Sequence, residues 1–337
     1  MNAIVLFSGG LDSLLTVRVL QEQNFNVIAL NIVTPFHNGS DEAQKFADLL
    51  GIELVVQSFG DEYMRMLKNP QWGVGKNLNP CLDCRIMMCQ AAKKLMEERQ
   101  AEFVATGEIS GQRPNSQKMH QLNLIASHSG LKGKLLRPLC AKVLPPTEAE
   151  LSGIIDREKL HSFTGRHRGN LIWQAKNKYC IPIIPQPSTG CLLCEKSFVA
   201  RISDLFQYKD QPTTWDANVL TVGRQLRLSP KVKCVVCRNF NDCQKMETLF
   251  QRSDRSEAFF MKPWNFCGAF ILMIGDFGSN IDYWFQKAGA LVLRFTNPEK
   301  YKNSSQEPIV EIFWDKKRLE RSIVEDETVN EYKVITE

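Results

Sequence analysis

The chain is 337 residues long, 43% hydrophobic and 23% charged, with a net charge of +5. That length suits two or more domains with separate cores, and the composition excludes a disordered, collagen-like or low-complexity chain. The mild basic excess, which falls in residues 151–337, permits a nucleic-acid partner without requiring one.

From the N-terminus, Ile4-Val5-Leu6-Phe7 reads as an apolar strand. It runs into Ser8-Gly9-Gly10-Leu11-Asp12-Ser13 and then an amphipathic helix through Leu14, Leu15, Val17, Val19 and Leu20. Two adjacent glycines let the backbone turn tightly and approach a ligand. Backbone N–H groups at the helix start, with the Ser8 and Ser13 hydroxyls, make an anion site. Asp12 would repel bare phosphate there, so a magnesium ion or a donor is expected beside it. No Gly-Lys-Ser/Thr follows, which excludes the Walker pattern. The plain alternative is a strand-turn-helix built of small residues.

Val27 to Val33 then reads as a buried strand. Asn38-Gly39-Ser40-Asp41 is a helix cap, and Ala43, Phe46, Ala47, Leu49 and Leu50 share one helical face. Ile52 to Val56 is a third strand. Strands alternating with helices predict a doubly wound parallel sheet. A loop from Asn69 to Pro80 delivers Cys81-Leu82-Asp83-Cys84 to the start of another helix, and Phe103-Val104-Ala105 is a strand that ends in Thr106-Gly107-Glu108. The polar segment Ser110 to Gln117 lies beyond that strand end, where such folds place their sites. Leu135 to Leu139 gives a further strand, 147–178 reads as helical, and Pro182 to Pro187 is a stiff linker before Thr189-Gly190-Cys191-Leu192-Leu193-Cys194. A short helix over Phe198 to Phe206 follows. The composition changes at Gln211-Pro212, which divides the chain into 1–210 and 213–337.

The second part reads as a small α+β domain. Ser229-Pro230 joins two strands in a hairpin that carries Arg224, Arg227, Lys231 and Lys233. A helix reaches Phe250, and strands are expected near 259–261, 269–274, 290–295 and 309–314, with a helix near 281–288. From Ser322 onward a surface tail is expected.

The N-terminus lacks signal-peptide features, no apolar run could span a bilayer, and eleven cysteines is an odd number. These features argue against a disulfide framework and for a reducing cytoplasm. Clustered cysteines then point to metal, redox or sulfur chemistry. Cys81 and Cys84 begin a helix, where thiolates are favoured, and Cys191 and Cys194 form a second C-x-x-C. Two such pairs suit a four-thiolate zinc site by spacing, although they lie on different parts of the fold. Cys234 and Cys237 read as buried strand residues, and Cys89, Cys140, Cys180, Cys243 and Cys267 as packing. His37 follows a strand end and reads as an exposed loop residue that could reach a nucleotide.

Together these motifs resemble the PP-loop ATP pyrophosphatases, in their tRNA-thiolation branch related to tRNA 4-thiouridine synthetase. The resemblance is carried by Ser8 to Ser13, by Gly73-x-Gly75 with Asn79-Pro80-Cys81-Leu82-Asp83-Cys84, and by Thr106-Gly107-Glu108 with Gly111-Gln112-Arg113-Pro114-x-Ser116-Gln117. Leu136-Arg137-Pro138-Leu139, Gly165-Arg166 and Gly190-Cys191-Leu192-Leu193 complete it. It most resembles a short form whose last domain is similar to the RNA-binding part of the NFACT family. The family pattern has glycine before Gly190 and threonine at position 194, where this chain has Thr189 and Cys194.

The resemblance implies splitting of ATP between its α and β phosphates, with Ser8, Gly9, Gly10, Asp12 and Ser13 on the pyrophosphate and Mg²⁺. It implies Thr106 and Gly107 near the adenosine, and Gln112, Arg113 and Arg166 toward the acceptor or α-phosphate. Cys81, Cys84 and Cys191 would hold a [4Fe–4S] cluster, with Cys194 a possible fourth ligand. A rival uses Cys191 as a persulfide carrier with Cys81 or Cys84 resolving. The expected partners are tRNA, contacted by the basic hairpin, and a sulfur donor, either sulfide or a persulfide carrier protein. A solvated charged face is the plainer reading of that hairpin. Competing functions are an ATP pyrophosphatase with a small-molecule acceptor and structural zinc, and a non-enzymatic RNA-binding protein.

Overall fold

The computed structural model describes residues 1–337 apart from 38, 76, 115, 187–190, 253–256, 303–305 and 336–337. Asn38 of the expected helix cap, Pro187 of the linker, and Thr189 and Gly190 of the second cysteine motif lie outside the described residues. Two compact units divide between Cys194 and Glu195, ahead of the Gln211-Pro212 position read from the sequence.

The first unit holds β1 (Asn2–Leu6), α1 (Leu11–Gln21), β2 (Asn26–Val33), α2 (Ser40–Leu50), β3 (Glu53–Ser58), α3 (Asp61–Lys68), α4 (Cys81–Glu98), β4 (Phe103–Thr106), α5 (Met119–His128) and β5 (Leu135–Leu136). Its five strands run in the order β3-β2-β1-β4-β5, all parallel. Ala3, Ile4, Val5, Ala29, Val104 and Ala105 are fully enclosed, as expected where helices cover both faces of a parallel sheet. The chain turns one way from β1 to β2 and the other way to β4. The ends of β1 and β4 therefore flank the crevice where α/β sheets bind ligands, and Leu6 is in register with Thr106 there.

The stretch 147–178 is not one helix. It breaks into α6 (Glu148–Leu151), a turn at Arg157–Lys159, and α7 (Gly169–Trp173) continuing as a π-helical turn over Gln174–Lys178. Thr147 and Glu150 form a capping box that starts α6, and Gly153 in the left-handed region (φ +75°) ends the run soon after.

The second unit holds α8 (Lys196–Tyr208), α9 (Thr214–Leu220), β6 (Arg224–Ser229), β7 (Val232–Val236), α10 (Phe240–Gln251), β8 (Ala258–Pro263), β9 (Ile271–Gly275), α11 (Ile281–Arg294), α12 (Glu299–Lys302), β10 (Ile309–Trp314) and β11 (Lys317–Ser322). Its sheet runs β11-β10-β8-β9-β7-β6, antiparallel throughout. The expected strand at 290–295 is instead the end of α11. Phe285, Ala288, Leu291 and Val292 recur at helical spacing and are buried, whereas a short apolar run alone fits either period. The chain beyond Ser322 is no free tail. Val329 is buried, Arg294 donates to the carbonyls of Val329 and Tyr332, and Ile335 N–H donates to Gln225 O at 2.7 Å. No helix among the described residues is long and apolar enough to cross a membrane.

Candidate functional site

The loop after β1 is shaped by close approach. Gly9 has φ +73°, and a Cβ there would lie 3.1 Å from the Ala43 nitrogen of α2. Gly10 caps α1, its N–H donating to Ser8 Oγ at 3.4 Å, and buried Ser13 donates its hydroxyl to Gly10 O at 2.8 Å. Gly107, just past β4, meets α1 backbone to backbone: a Cβ there would lie 2.7 Å from both C and O of Asp12. Thr106 is buried and its hydroxyl donates to Glu108 Oε2 at 3.1 Å, so only its backbone can face a nucleotide.

Asp12 Oδ2 accepts from Gln112 Nε2 at 3.1 Å, while Oδ1 is buried with no hydrogen-bond partner among the described residues. Burial pushes the Asp12 carboxyl up; the Gln112 bond and the charges of Arg168 and Arg113 oppose it. A carboxylate oxygen so enclosed and unpartnered fits a hard cation such as Mg²⁺. Arg168, not the neighbouring Arg166, is the 166–168 arginine that acts on Asp12; Arg166 is exposed.

The cysteines assemble across the loop ends. Cys81 and Cys84 occupy the first turn of α4, and Cys191 and Cys194 flank a tight turn anchored by Leu192 N–H on Phe36 O at 3.4 Å. Asn79 links the two pairs, accepting from the Cys81 thiol at 3.1 Å and donating to Cys194 Sγ at 2.8 Å. Asn77 Nδ2 holds Cys194 O at 2.9 Å. Burial pushes the Cys191 thiol up to about 12, reinforced by its neighbours Cys84, Cys194 and Cys81. Burial likewise lifts Cys84 to about 11 against Arg85, and raises Cys81. The lowered thiol pKa expected at a helix N-terminus is therefore overturned. Desolvation outweighs the helix dipole and the nearby guanidinium.

Among the described residues no three His, Cys, Asp or Glu side chains converge closely enough to hold a metal ion. In kind, the all-sulfur donor set fits a soft, thiolate-bound group. A cation would draw off protons that burial now retains.

Three further participants, Arg85, Glu108 and His37, sit beside or within motifs read from the sequence, but those motifs assign them no role. Arg85, directly after the C-x-x-C, is 32% exposed, with Nε 3.9 Å from Glu108 Oε1. It acts on Cys81, Cys84 and His37. Glu108 is buried; burial pushes its carboxyl up, but Arg137 (Nε 3.0 Å) and Arg85 hold it below the usual range. His37 is half-buried rather than an exposed loop residue. Burial, Arg85 and Arg113 push its pKa down, leaving a neutral imidazole at neutral pH. Their signal was adjacency to motifs already noted.

The hairpin cations are less open than their sequence suggests. Arg227 binds Asp204 with both arms, at 3.0 and 2.6 Å, and stacks on Tyr208. Lys233 is buried, 3.3 Å from Asp204, and burial pushes it down to about 8. Its amine is thus withdrawn from any RNA surface. Lys231 pairs with Asp276 at 2.8 Å. Arg224 is exposed, lies over the Phe295 ring, and has no ion-pair partner among the described residues.

Residues 1–142 match the family model described as "Thiamine biosynthesis protein (ThiI)". Curated relatives include the tRNA-specific 2-thiouridylase MnmA 1 of Clostridium tetani, 30% identical over 121 residues, covering 32% of this chain and 33% of that protein. The MnmA of Pelotomaculum thermopropionicum is 30% identical over 134 residues, covering 32% and 34%. The chain spans about one third of the length of the curated relatives it matches. A solved 4-thiouridine synthetase–RNA complex with bound ATP aligns at 20% identity and TM-score 0.34, over 47% of this chain and 42% of that one. Over its N-terminal part this chain is thus similar to the ThiI family and to tRNA-specific 2-thiouridylases.

Proposed function

We propose that the chain is an ATP-dependent tRNA uridine thiolase acting in the cytoplasm. The observation that carries this reading is the position of Arg113, within electrostatic reach of both Asp12 and Cys81. The nucleotide loop and the thiols thus share one charged neighbour.

A uridine carbonyl oxygen attacks the α-phosphorus of ATP, the base N3–H gives up its proton, and pyrophosphate leaves. The oxygen becomes a leaving group as AMP. The backbone N–H groups around Ser8, Gly9 and Gly10 hold the departing pyrophosphate. Mg²⁺, when bound, would offset its charge, and Asp12 Oδ1 is the atom available to it. Gln112 orients Asp12 from the other oxygen. Arg113, with Arg85 behind the cysteines, offsets charge at the α-phosphate as it forms the adenylate.

Sulfur then replaces the activated oxygen at the four-cysteine end. A [4Fe–4S] cluster on Cys81, Cys84 and Cys191 would supply sulfide shielded from water. The persulfide route is favoured by the mutual proximity of Cys191 with Cys81 and Cys84. The outer sulfur of a Cys191 persulfide attacks the activated carbon and AMP leaves. Cys81 or Cys84 then attacks Cys191 Sγ, releasing the thiolated base and forming a disulfide that an external dithiol reduces. The donor is sulfide for the cluster route or a persulfide carrier protein for the other.

The test is anaerobic purification followed by iron, sulfide and zinc analysis, with product analysis of ATP and tRNA. AMP, pyrophosphate and thiolated uridine are expected, and Asp12→Ala should abolish all three. Formation of ADP and phosphate would remove the reading. Zinc bound by all four cysteines, with catalysis surviving its loss, would defeat the cluster route.

A further inference from the structure

One stretch of the first unit is free of acidic side chains and open to solvent. Between Glu158 and Glu195 the sequence contains no Asp or Glu, while Lys159, Arg166, Arg168, Lys176 and Lys178 are all basic. Two of these cations are already paired, Lys159 with Asp156 at 3.9 Å and Lys178 with Glu22 at 2.8 Å. Arg168 acts on Asp12. Arg166 and Lys176 are exposed and have no ion-pair partner among the described residues.

Between those two cations lies α7. Leu171 and Ala175 are buried in the core of the first unit, which leaves Asn170, Trp173 and Lys176, three residues apart, on the outer face. Trp173 is 59% exposed. Its carbonyl accepts from Asn177 Nδ2 at 3.0 Å, where the helix widens into the π-helical turn over Gln174–Lys178. Such turns are frequent at functional sites. The stretch is also tied to the nucleotide site. Gly165 N–H donates to Ser110 O at 2.9 Å, which sets Arg166 beside the segment whose Gln112 holds Asp12.

A basic face with an open indole suits a polyanion that also carries flat rings. Phosphates match the two free cations, and an unpaired base has the planar face that an indole stacks on. An acidic peptide would satisfy the cations but supplies no regular series of planar groups.

We propose, on the basis of the thiolase function proposed above, that Arg166, Trp173 and Lys176 form a docking surface for single-stranded RNA beside the nucleotide site. Trp173 stacks on an unpaired base, and the two cations hold phosphates on either side of it.

The experiment measures binding of an unmodified tRNA transcript to the full-length protein over a salt series, without ATP, and maps ultraviolet cross-links by peptide mass spectrometry. Trp173→Ala should weaken binding about tenfold, and Trp173→Phe should keep most of the affinity. Lys176→Gln should lower the salt slope by about 0.7. ATP binding should be unchanged in all three variants, and the cross-linked peptide should contain Trp173. Wild-type tRNA binding that neither Trp173→Ala nor Lys176→Gln alters, with cross-links confined to other segments, overturns this surface and leaves the thiolase reading standing. No tRNA binding by the wild type overturns both. A concentration-dependent dimer that Trp173→Ala abolishes would give the face to a second copy of the chain, which also overturns the proposal. Wild-type cross-linking decides the matter if Trp173→Ala does not fold.

Discussion

Two carboxylates, one in each unit, are each enclosed by a pair of cations, and the two groups resolve the same problem differently. In the first, Glu108 lies between Arg137, which is 4% exposed, and the half-open Arg85. In the second, Asp204 lies between Arg227 and Lys233, and the lysine is 7% exposed. Both triads carry one surplus positive charge. Arginine keeps its charge when buried and lysine yields it. The surplus at Glu108 is therefore directed outward through Arg85 to the cysteines. The surplus at Asp204 is trapped on a buried amine 3.3 Å from that carboxylate and pushed down to about 8.

The comparison breaks most visibly at Glu108. Glu108→Gln leaves Arg137 buried without its carboxylate and should cost about 3–5 kcal/mol of stability, read by denaturant unfolding. Arg85→Gln should instead leave the melting temperature almost unchanged and lower thiolation by about 10²-fold. A large loss of stability from Arg85→Gln would make it an ordinary structural ion pair.

Lys233→Met should stabilise the protein at pH 7 by about 2 kcal/mol, since it removes a poorly compensated buried charge. The sign with pH follows from the lowered pKa. Between about 8 and the ordinary lysine value of 10.5 the unfolded chain binds more protons, so wild-type stability should rise with pH across that window. The Lys233→Met protein should lack that rise. The smallest effect is expected at Arg224, the open cation of the hairpin. Arg224→Ala should flatten the salt dependence of tRNA binding by about one unit and shift stability by no more than about 0.5 kcal/mol. An unchanged salt slope would remove the hairpin from the RNA surface.

The legibility of these regions in the sequence follows the range of the contacts involved. The loop at Ser8 to Ser13 and the parallel sheet were readable because strand, turn and helix are contiguous. Their residue types state the local conformation. The pairing of Cys81 with Cys84 was readable for the same reason. Asn79 as a bridge to Cys194, and Arg168 rather than Arg166 beside Asp12, depend on segments about a hundred or more residues apart. Charge in the hairpin was legible but its partner was not, because Asp204 lies on α8, outside the hairpin. The apolar end of α11 was misread as a strand because six residues cannot separate the two periods.

Gly107 has a consequence for how this protein can vary. With 2.7 Å from a would-be Cβ to the Asp12 backbone, even alanine has no room between β4 and α1, and the obstructing Asp12 C and O and Ser13 N are all main chain that cannot swing aside. Gly153 also has an unusual backbone angle but nothing within 4 Å among the described residues, so asparagine, which tolerates that angle, is admissible there. In a saturation library selected for function, position 107 should return a single letter while 153 returns several. The absence of one methyl group thereby becomes an inherited constraint on every descendant of this chain.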